Sequence, residues 1–354
     1  MKNTSFHSSF KLNGKSFSEE NDLLVYSKEI SESLYRFLND WFNTNDYVIV
    51  QTSGSTGTPK PIKLKKEFMK NSAIATGAFF KLKEGATALL CLSTDYIAGK
   101  MMLIRALTLG WEIDVVLPVS NPLEELKKEY DFSAMVPLQL RNSLKELSKI
   151  DTLIVGGGVV SNDLVNIIQK KPTKIYATYG MTETITHVAV KKLNQISNTS
   201  SKVESSIYKA LPNVKFTQDS RNCLVIEASR VTDEIIITND VVKLESNTEF
   251  EWLGRFDNVI NSGGIKLHPE RIEEKLSKII QERFFVTGVS DTILGEKLIL
   301  IIEGKKKKIT LDNVKEFSKY EIPKEIYFID KFIETETKKI QRKKTVSILL
   351  KALK

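Results

Sequence analysis

Short apolar runs alternate with longer amphipathic segments along most of the chain. Runs typical of β-strands occur at residues 47–51, 61–64, 86–92, 113–117, 153–155 and 174–178. Apolar residues at helical spacing predict helices over 66–80, 97–109 and 161–170, and Asn121 followed by Pro122 predicts a short helix that ends at Tyr130. This alternation predicts an α/β fold in which helices cover a sheet. Ligands bind such sheets at loops beyond the strand ends.

The pattern changes in the second half of the chain. Residues 197–221 are polar with little periodicity, so we expect surface structure there, and strands follow at 223–228, 234–238, 241–244 and 250–252. Beyond Gly254, the pattern predicts helices over 269–280, 311–319 and 345–350 and strands at 284–289, 297–303 and 326–329. We therefore predict a large N-terminal domain (residues 1–254) of helix-covered β-sheets and a small, mobile α+β C-terminal domain (residues 255–354).

The composition is that of an ordinary globular protein. The 354 residues are 41% hydrophobic and 27% charged, which excludes wholesale disorder and a collagen-like repeat. No apolar stretch approaches the roughly 20 residues of a membrane-spanning helix, and the N-terminus lacks the apolar core of a signal peptide. Cys91 and Cys223 each lie in an apolar run and are expected to be reduced core thiols. We therefore expect a cytoplasmic protein with no membrane partner.

The positive charge has a simple explanation. The net charge is +8, and lysines occur along the whole chain, with a block at 305–308. Basic chains often bind nucleic acids, but the aromatic residues that stack on single strands are not interleaved with these lysines. We expect a lysine-rich surface and no nucleic-acid partner. The three histidines have no metal-like spacing, which argues against a zinc enzyme.

A segment rich in glycine and hydroxyl side chains follows the first predicted strand. Its residues are Thr52, Ser53, Gly54, Ser55, Thr56, Gly57, Thr58, Pro59 and Lys60. Unhindered backbone N–H groups and hydroxyls suit phosphate oxygens, and the lysine adds a positive charge. The spacing differs from that of a P-loop, because two residues separate Gly57 from Lys60.

Two further segments follow predicted strands. Tyr179, Gly180, Thr182 and Glu183 combine an aromatic ring, a glycine, a hydroxyl and a carboxylate, which suits a nucleotide with Mg²⁺. The run 156–158 (Gly156, Gly157 and Gly158) would let a flat base lie against the backbone. Each segment could also be a plain turn between elements.

With the segments 254–270 and 335–342, these motifs occur in an order that resembles the adenylate-forming superfamily of acyl-CoA synthetases, peptide-synthetase adenylation domains and luciferases. The resemblance covers residues 51–342. It implies that a carboxylate and ATP form an acyl-adenylate, and that a thiol, usually coenzyme A, then displaces AMP. It also implies a small-molecule carboxylic acid as substrate, with ATP, Mg²⁺ and coenzyme A.

The resemblance also implies residue roles. The segment 52–60 corresponds to the loop over the β- and γ-phosphates, and the run 156–158 to the floor of the adenine and acyl pockets. The remaining correspondences are adenine stacking for Tyr179, α-phosphate binding for Thr182, Mg²⁺ binding for Glu183, ribose binding for Asp240 and Arg255, the hinge for Asp257, the pantetheine tunnel for Gly264 and Lys266, and catalysis for Lys339. The family usually has glycine where this chain has Asn239 and Lys338.

The acid is less well defined by the sequence. Only about fifty residues precede the phosphate loop, and this compactness resembles short bacterial O-succinylbenzoate–CoA ligases of menaquinone biosynthesis. A second carboxylate on such an acid needs a cationic partner, for which Lys100 and Arg105 are candidates, and His187 could line the acyl pocket. Other aryl or short-chain acids, a carrier-protein acceptor, or an AMP-binding protein without catalysis remain alternatives.

Overall fold

The structure is a computed structural model that describes residues 5–51, 61–194, 206–309, 311, 317–334 and 340–352. Its strands are β1 Lys11–Leu12, β2 Lys15–Ser16, β3 Tyr47–Gln51, β4 Pro61–Lys65, β5 Thr87–Leu90, β6 Glu112–Val115, β7 Tyr130–Met135, β8 Ile150–Val155, β9 Lys174–Gly180, β10 His187–Lys192, β11 Ile207–Ala210, β12 Lys215–Gln218, β13 Cys223–Glu227, β14 Ile236–Ser246, β15 Glu249–Arg255, β16 Ile260–Ser262, β17 Ile265–Leu267, β18 Phe284–Asp291, β19 Gly295–Glu303 and β20 Glu325–Ile329. Its α-helices are α1 Glu20–Ile30, α2 Glu32–Phe42, α3 Lys66–Phe80, α4 Ile97–Leu109, α5 Pro137–Asn142, α6 Asn162–Ile168, α7 Pro269–Leu276 and α8 Arg342–Ala352.

Most of the strands up to residue 255 form one large mixed sheet. Its order is β12-β13-β14-β15-β11-β10-β9-β8-β7-β5-β6-β1-β2. The neighbours β9, β8, β7, β5 and β6 run parallel to one another. On the other side, β9 pairs antiparallel with β10, and all pairs from β10 to the edge strand β12 are antiparallel. The carboxyl ends of β8 and β9 therefore lie beside the start of β10.

The parallel part of the sheet is buried on both faces. Ala88 and Leu90 of β5 pack in the hydrophobic cluster that contains α3 and α4, while Leu89 of β5 and the next residue but one, Cys91, pack in the cluster that contains α6. Successive side chains of a strand point to opposite faces, so helices on both sides explain why this strand is continuously apolar. The predicted α/β fold class is confirmed.

A second sheet is built from the later strands. Its order is β17-β16-β19-β18, with β20 parallel to β19. It has separate hydrophobic clusters and follows a single helical turn at 256–258. Arg271 of α7 contacts Glu251 of β15 at 2.9 Å. The predicted domain boundary between residues 254 and 255 stays a prediction.

Several predicted elements agree closely with the structure. The strand at 47–51 and the helices at 66–80 and 97–109 have the predicted bounds, and Gly110 ends α4 in a left-handed conformation with φ 72°. At Gly110, a residue with a side chain would pay a conformational cost that glycine avoids.

Other predicted elements are wrong. The helix expected at 122–130 is absent among the described residues: the segment consists of turns, and Tyr130 begins β7. Within the polar stretch 197–221, most described side chains are exposed or half-buried, as expected, but the strands β11 and β12 were not predicted. The two strands expected between 234 and 244 are the single strand β14, and α1 and α2 were not predicted. Tertiary pairing therefore overrides weak local patterns at the strands, whereas the buried residues Leu34, Phe37, Leu38 and Trp41 of α2 have helical spacing, a pattern that does predict a helix.

The strands β3 and β4 form a separate hairpin that precedes α3 and α4 along the chain. β3 pairs antiparallel with β4, with Gln51 opposite Pro61. The predicted phosphate loop connects these two strands but lies outside the described residues, as does most of the helix expected at 311–319. No α-helix in the described ranges is long and apolar enough to cross a bilayer.

Candidate active site

Asp240, near the middle of β14, gathers three donors around one buried carboxylate. Its Oδ2 accepts a hydrogen bond from the Tyr179 hydroxyl at 2.7 Å, and its Oδ1 accepts one from the Trp252 indole N–H at 3.1 Å. The Arg255 guanidinium reaches Oδ1 at 3.4 Å. Asp240 is 7% exposed, and a carboxylate has about four lone-pair positions. The group therefore keeps room for a further donor, such as a ligand hydroxyl.

Tyr179 lies on β9 between this carboxylate and an aromatic cluster. Its ring is 5.1 Å from that of Phe250 and 5.7 Å from that of Tyr208, both edge to face. Burial, followed by the charge of Asp240, raises the pKa of Tyr179, so the hydroxyl stays a donor at neutral pH. The ring is half-buried, and its predicted role in adenine stacking stays a prediction.

The chain reverses tightly after Gly180, at residues 181–186. A side chain at position 180 would collide with the backbone carbonyl of Thr186, so glycine is required for the return strand to approach. The Thr184 hydroxyl accepts from the Met181 N–H at 3.1 Å and is 2.8 Å from the Thr186 carbonyl, to which it can donate. Backbone and side-chain bonds therefore fix the base of this turn.

Thr182 and Glu183 lie at the tip of the same turn. Thr182 is half-buried and Glu183 is exposed. Among the described residues, the Glu183 carboxylate has no hydrogen-bond partner, and no group of three or more His, Cys, Asp and Glu side chains could hold a metal there. Mg²⁺ commonly binds through one or two carboxylates together with substrate phosphates. A single free carboxylate fits that mode of binding.

Residues 156–158 follow β8 directly and lie beside this turn. The Gly156 N–H donates to the Met135 carbonyl at 3.1 Å. A side chain at position 156 would come within 2.6 Å of the Thr178 hydroxyl. Gly157 has φ 76°, which favours glycine. The three glycines therefore give a low, open backbone surface next to the end of β9.

The turn that leads to the second sheet is held by side chains of the first. The Asn239 amide donates to Asp257 at 3.4 Å and accepts from Arg221 at 2.9 Å. Arg221 also lies over the Phe256 ring at 5.2 Å, and Arg255 is 3.6 Å from Asp257. Asn239 therefore links the strand that carries Asp240 to the predicted hinge residue.

Gly264 and Lys266 lie farther along, in the β16–β17 hairpin. Gly264 has φ 80° in the turn, and Lys266 is exposed on β17. Their predicted place in a pantetheine tunnel stays a prediction.

Lys100, a predicted substrate contact, is tied to its own loop. Its ammonium donates to the carbonyls of Thr94 and Asp95 and lies 4.9 Å above the Phe37 ring. Burial lowers its pKa. Lys100 and Arg105 are five residues apart on α4, roughly 140° around the helix. The structure therefore does not bring these two cations together.

Arg105 and His187, by contrast, meet in the core. The Arg105 Nη2 lies 3.4 Å from His187 Nδ1, and its Nε donates to the Thr76 hydroxyl at 3.3 Å. Arg105 is 1% exposed and His187 is 4% exposed. Burial lowers the pKa of Arg105 to about 9, so it stays charged at neutral pH. Burial and the Arg105 charge hold the pKa of His187 well below its usual range.

These contacts assign the His187 tautomer. Because Nδ1 faces a guanidinium donor, it must accept, and the proton is on Nε2. Nε2 lies 3.5 Å from the Thr76 hydroxyl, which itself donates to the Ser72 carbonyl at 3.0 Å. His187 also lines a cavity of about 170 Å³ with apolar residues of α3, including Ile74, Ala75 and Ala78. A buried positive charge thus lies directly behind one wall of this cavity.

The structure brings only some of the predicted site residues into direct contact. The structure brings Tyr179, Asp240 and Arg255 into contact, and it pairs Arg105 with His187. The segment 52–60 and Lys339 lie outside the described residues.

Sequence reasoning missed three polar partners at these sites. Trp252 donates to Asp240, Arg221 holds Asn239, and Thr76 bonds Arg105. Trp252 follows Phe250 by two residues on β15, which is an ordinary pattern for a hydrophobic core. Only the pairing of β14 with β15 shows that Trp252 is a partner of Asp240. Thr76 lies on the buried face of α3. A hydroxyl at such a position needs a hydrogen-bond partner, and this was the one feature of the sequence that could have indicated a buried polar contact.

Comparisons with known proteins agree with this geometry. A family model described as AMP-binding enzyme matches residues 12–217. An acyl-CoA synthetase (AMP-forming)/AMP-acid ligase II-like protein from Dyadobacter fermentans DSM 18053 is 36% identical, covers 90% of this chain and 95% of its own, and has a TM-score of 0.61. The chain belongs to the AMP-binding enzyme family, and it is an AMP-forming ligase of the adenylate-forming class.

More specific names come from more distant relatives. A 2-succinylbenzoate–CoA ligase of Geobacillus sp. (strain WCH70) is 25% identical over 83% of this chain and 67% of its own length. The corresponding ligase of Listeria monocytogenes serovar 1/2a is 25% identical over 89% and 73%. The O-succinylbenzoate coenzyme A synthetase of Bacillus subtilis, in complex with ATP and magnesium ion, shares the fold, with a TM-score of 0.71 at 19% identity over 84% of this chain and 69% of that chain.

Proposed function

We propose that this protein is an ATP-dependent acid–CoA ligase and that its acid is 2-succinylbenzoate. In the first half-reaction, a carboxylate oxygen of the acid attacks the α-phosphorus of ATP, which gives acyl-AMP and pyrophosphate. In the second, the sulfur of coenzyme A attacks the acyl carbon, and AMP leaves. The observation that carries the proposal is the contact of Asp240 with Tyr179 and Arg255 beside the turn that bears Glu183.

The nucleotide half of the site follows from these contacts. We assign the ribose hydroxyls to Asp240 and Arg255, and the adenine to Tyr179 above the open backbone of 156–158. Thr182 would meet the α-phosphate. The loop 52–60, including Lys60, would meet the outer phosphates. This arrangement uses the spare acceptor capacity of Asp240 and the low profile of the three glycines.

Charge is the main obstacle in the first half-reaction, because a carboxylate must approach a triphosphate. Lys339 is the protein cation that we assign to the charge developing on the reacting oxygens. One preorganised group of this kind contributes about 3–4 kcal/mol. Glu183 would hold Mg²⁺, which neutralises phosphate charge when it is bound. The exposed position of Glu183 is compatible with a metal that arrives with the nucleotide.

Two independent observations support 2-succinylbenzoate as the acid. Relatives at 24–26% identity carry the name 2-succinylbenzoate–CoA ligase, and a buried cation, Arg105, lies behind His187 at the wall of a cavity. A dicarboxylate such as 2-succinylbenzoate has one carboxylate to activate and another that such a cation attracts. Lys100 is a second candidate for this contact.

Coenzyme A is the proposed acceptor in the second half-reaction. Gly264 and Lys266 would line its pantetheine path, and Asp257 would be the hinge of a small mobile domain (residues 255–354) that withdraws Lys339 after adenylation. A two-position domain of this kind lets one site serve two reactions.

A pyrophosphate-exchange assay with a panel of acids tests the proposal. Wild-type enzyme with ATP, Mg²⁺ and labelled pyrophosphate should exchange label with 2-succinylbenzoate well above benzoate, succinate and short-chain acids, and added coenzyme A should give 2-succinylbenzoyl-CoA. Exchange with another acid only would show that 2-succinylbenzoate is not the substrate. Thioester formation only on a carrier protein would show that coenzyme A is not the acceptor. Nucleotide binding without exchange for any acid would refute the enzyme assignment.

A further inference from the structure

The backbone of Ile185 has a rare conformation just after Thr182 and Glu183. Its φ is 66° and its ψ is −60°. The Thr186 N–H donates to the Thr184 carbonyl at 2.7 Å, so Ile185 is the centre of a γ-turn with positive φ. This form of γ-turn is rare and strained, and positive φ is especially unfavourable for a β-branched residue.

The surrounding structure holds Ile185 in this conformation. Its side chain is 2% exposed and belongs to the hydrophobic cluster of α3, α4 and the sheet. Thr184, before it, is fully buried, and its hydroxyl bonds the backbone on both sides of the turn. Gly180 admits the returning chain at a distance that no other residue allows.

The γ-turn is coupled through the backbone to Thr182, one of the two polar residues at the tip of the turn 181–186. The Ile185 N–H donates to the Thr182 carbonyl at 3.0 Å, so the position of Thr182 depends on that of Ile185. A residue in an ordinary conformation at 185 would reverse the chain less sharply and would move this carbonyl. Backbone strain that packing maintains is concentrated at functional sites.

We propose that Ile185 is a positioning residue for the nucleotide and its metal: its buried side chain holds the strained γ-turn that presents Thr182 and Glu183 together. The inference rests on the proposed roles of these two residues. The side chain of Ile185 itself touches neither ligand, because it points into the hydrophobic core.

Ile185→Ala tests this inference, with Ile226→Ala as the matched control. Ile226 is also fully buried in the same hydrophobic cluster, on β13. Amide hydrogen exchange in the free protein is measured on peptides that cover residues 180–187. We expect at least tenfold faster exchange there in Ile185→Ala, because the anchor is lost, and wild-type exchange in Ile226→Ala.

A second measurement follows the metal without the acid or coenzyme A. Free Mn²⁺ is counted by electron paramagnetic resonance while it is titrated into protein and ATP. We expect about tenfold weaker Mn²⁺ binding to the Ile185→Ala complex, unchanged binding in Ile226→Ala, and binding within twofold of wild type in Ile185→Val.

The outcomes separate the two proposals. Wild-type exchange of residues 180–187 or wild-type Mn²⁺ binding in Ile185→Ala would overturn the positioning role, whichever acid the enzyme uses. Inactivity of the wild-type enzyme with every acid would overturn the proposed function and leave both readouts in place. If Ile185→Ala does not fold, Ile185→Thr replaces it with the same expected results, because threonine has nearly the shape of valine but carries a hydroxyl that the apolar surroundings of residue 185 do not accommodate.

Discussion

A single buried cation, Arg105, has no negatively charged partner among the described residues. Its bonded neighbours are the neutral side chains of Thr76 and His187, and burial alone accounts for its lowered pKa. Burying a charge without a counter-charge is costly. The arrangement is reasonable if an anion shares the region when substrate is bound.

Replacing Arg105 by Met should therefore weaken binding of the acid. Two unit charges about 8 Å apart attract by about 2 kcal/mol at an effective dielectric constant of about 20, so loss of the Arg105 charge behind His187 should raise the KM for 2-succinylbenzoate roughly tenfold or more, with the KM for ATP near the wild-type value. Lys100→Ala should raise the KM for the acid by a smaller factor, because its ammonium already bonds Thr94 and Asp95. Steady-state kinetics checks both. An unchanged KM for the acid in Arg105→Met would remove Arg105 from the acid site.

His187 makes stability depend on pH. The folded protein holds it neutral, because burial and Arg105 lower its pKa, whereas an unfolded chain binds a proton below a pH of about 6.5. Unfolding is therefore favoured as the pH falls below about 6.5, at up to about 1.4 kcal/mol per pH unit. In His187→Gln this contribution should disappear. Urea unfolding of both proteins between pH 7 and pH 5 checks this, and parallel pH profiles would contradict it.

Gln139 joins the ends of three parallel strands. Its amide N–H groups donate to the Cys91 carbonyl at 2.8 Å and the Val119 carbonyl at 3.0 Å, and its oxygen accepts from the Val136 N–H at 3.2 Å. Gln139 is 4% exposed and Cys91 is fully buried, so water cannot replace the bond to the Cys91 carbonyl. One side chain on α5 therefore fixes the loops that follow β5, β6 and β7.

Gln139→Leu should destabilise the protein strongly. It leaves the fully buried Cys91 carbonyl without this partner, at about 1–3 kcal/mol, and it removes bonds to two less buried backbone groups, so the unfolding free energy should fall by roughly 2–4 kcal/mol. Leu138→Ala is a suitable control, because Leu138 is 59% exposed and should change stability by less than about 0.5 kcal/mol. Chemical denaturation measures both variants. Equal stability of Gln139→Leu and wild type would show that these bonds are dispensable.

The elements that the sequence predicts well have strong local signals. The helix α4 has a continuous apolar pattern and a glycine at its end, and β3 is a short apolar run before a glycine-rich loop. By contrast, β7 has polar Asp131 and Ser133 in alternation with apolar residues, a weaker signal than a continuous apolar run, and it was not predicted. It becomes a strand because it lies between β5 and β8, with Asp131 bonded to Thr87 at the strand end.

The candidate site divides in the same way. Residue type and order indicated Tyr179, Glu183 and Asp240 through the family resemblance. The contact of Asp240 with Trp252 depends on the register of β14 and β15, and the conformation of Ile185 depends on packing around it. Neither has a signature in the sequence, because both are set by residues distant along the chain.

Across the whole molecule, two sets of hydrophobic clusters are connected through the turn at 256–258. Clusters of the first sheet and those of the second share no residue. The contacts between them include the Arg271–Glu251 pair and a hydrogen bond of 2.7 Å from Asn162 to the Ser277 hydroxyl. These contacts are polar and partly exposed, which is typical of domains that move relative to each other.

Lys339→Ala should separate the two half-reactions. Adenylation requires a cation near the reacting oxygens, so pyrophosphate exchange should fall by roughly 100- to 1,000-fold. Conversion of supplied acyl-adenylate to thioester should continue near the wild-type rate, because the lysine is expected to be withdrawn in that step. Equal losses in both assays would contradict a two-position mechanism.

Asn239→Gly should loosen the turn at 256–258, because it removes the bonds to Asp257 and Arg221. Two hydrogen bonds of about 0.5–1.5 kcal/mol each predict proteolytic cleavage of this turn at least about threefold faster than in wild type. Asn222→Gly is a control on a neighbouring exposed residue that already has φ 62°. Wild-type cleavage rates in Asn239→Gly would indicate that other contacts hold the turn.

The β3–β4 hairpin has a consequence for nucleotide capture. Because Gln51 is paired with Pro61, the nine intervening residues begin and end at neighbouring points of one rigid support. The entropy of joining the ends of a loop is then lost during folding and not when the ligand arrives. If residues 52–60 bind the triphosphate as proposed, a mismatched pair at Val50 and Ile62 in the hairpin should therefore weaken the affinity for it.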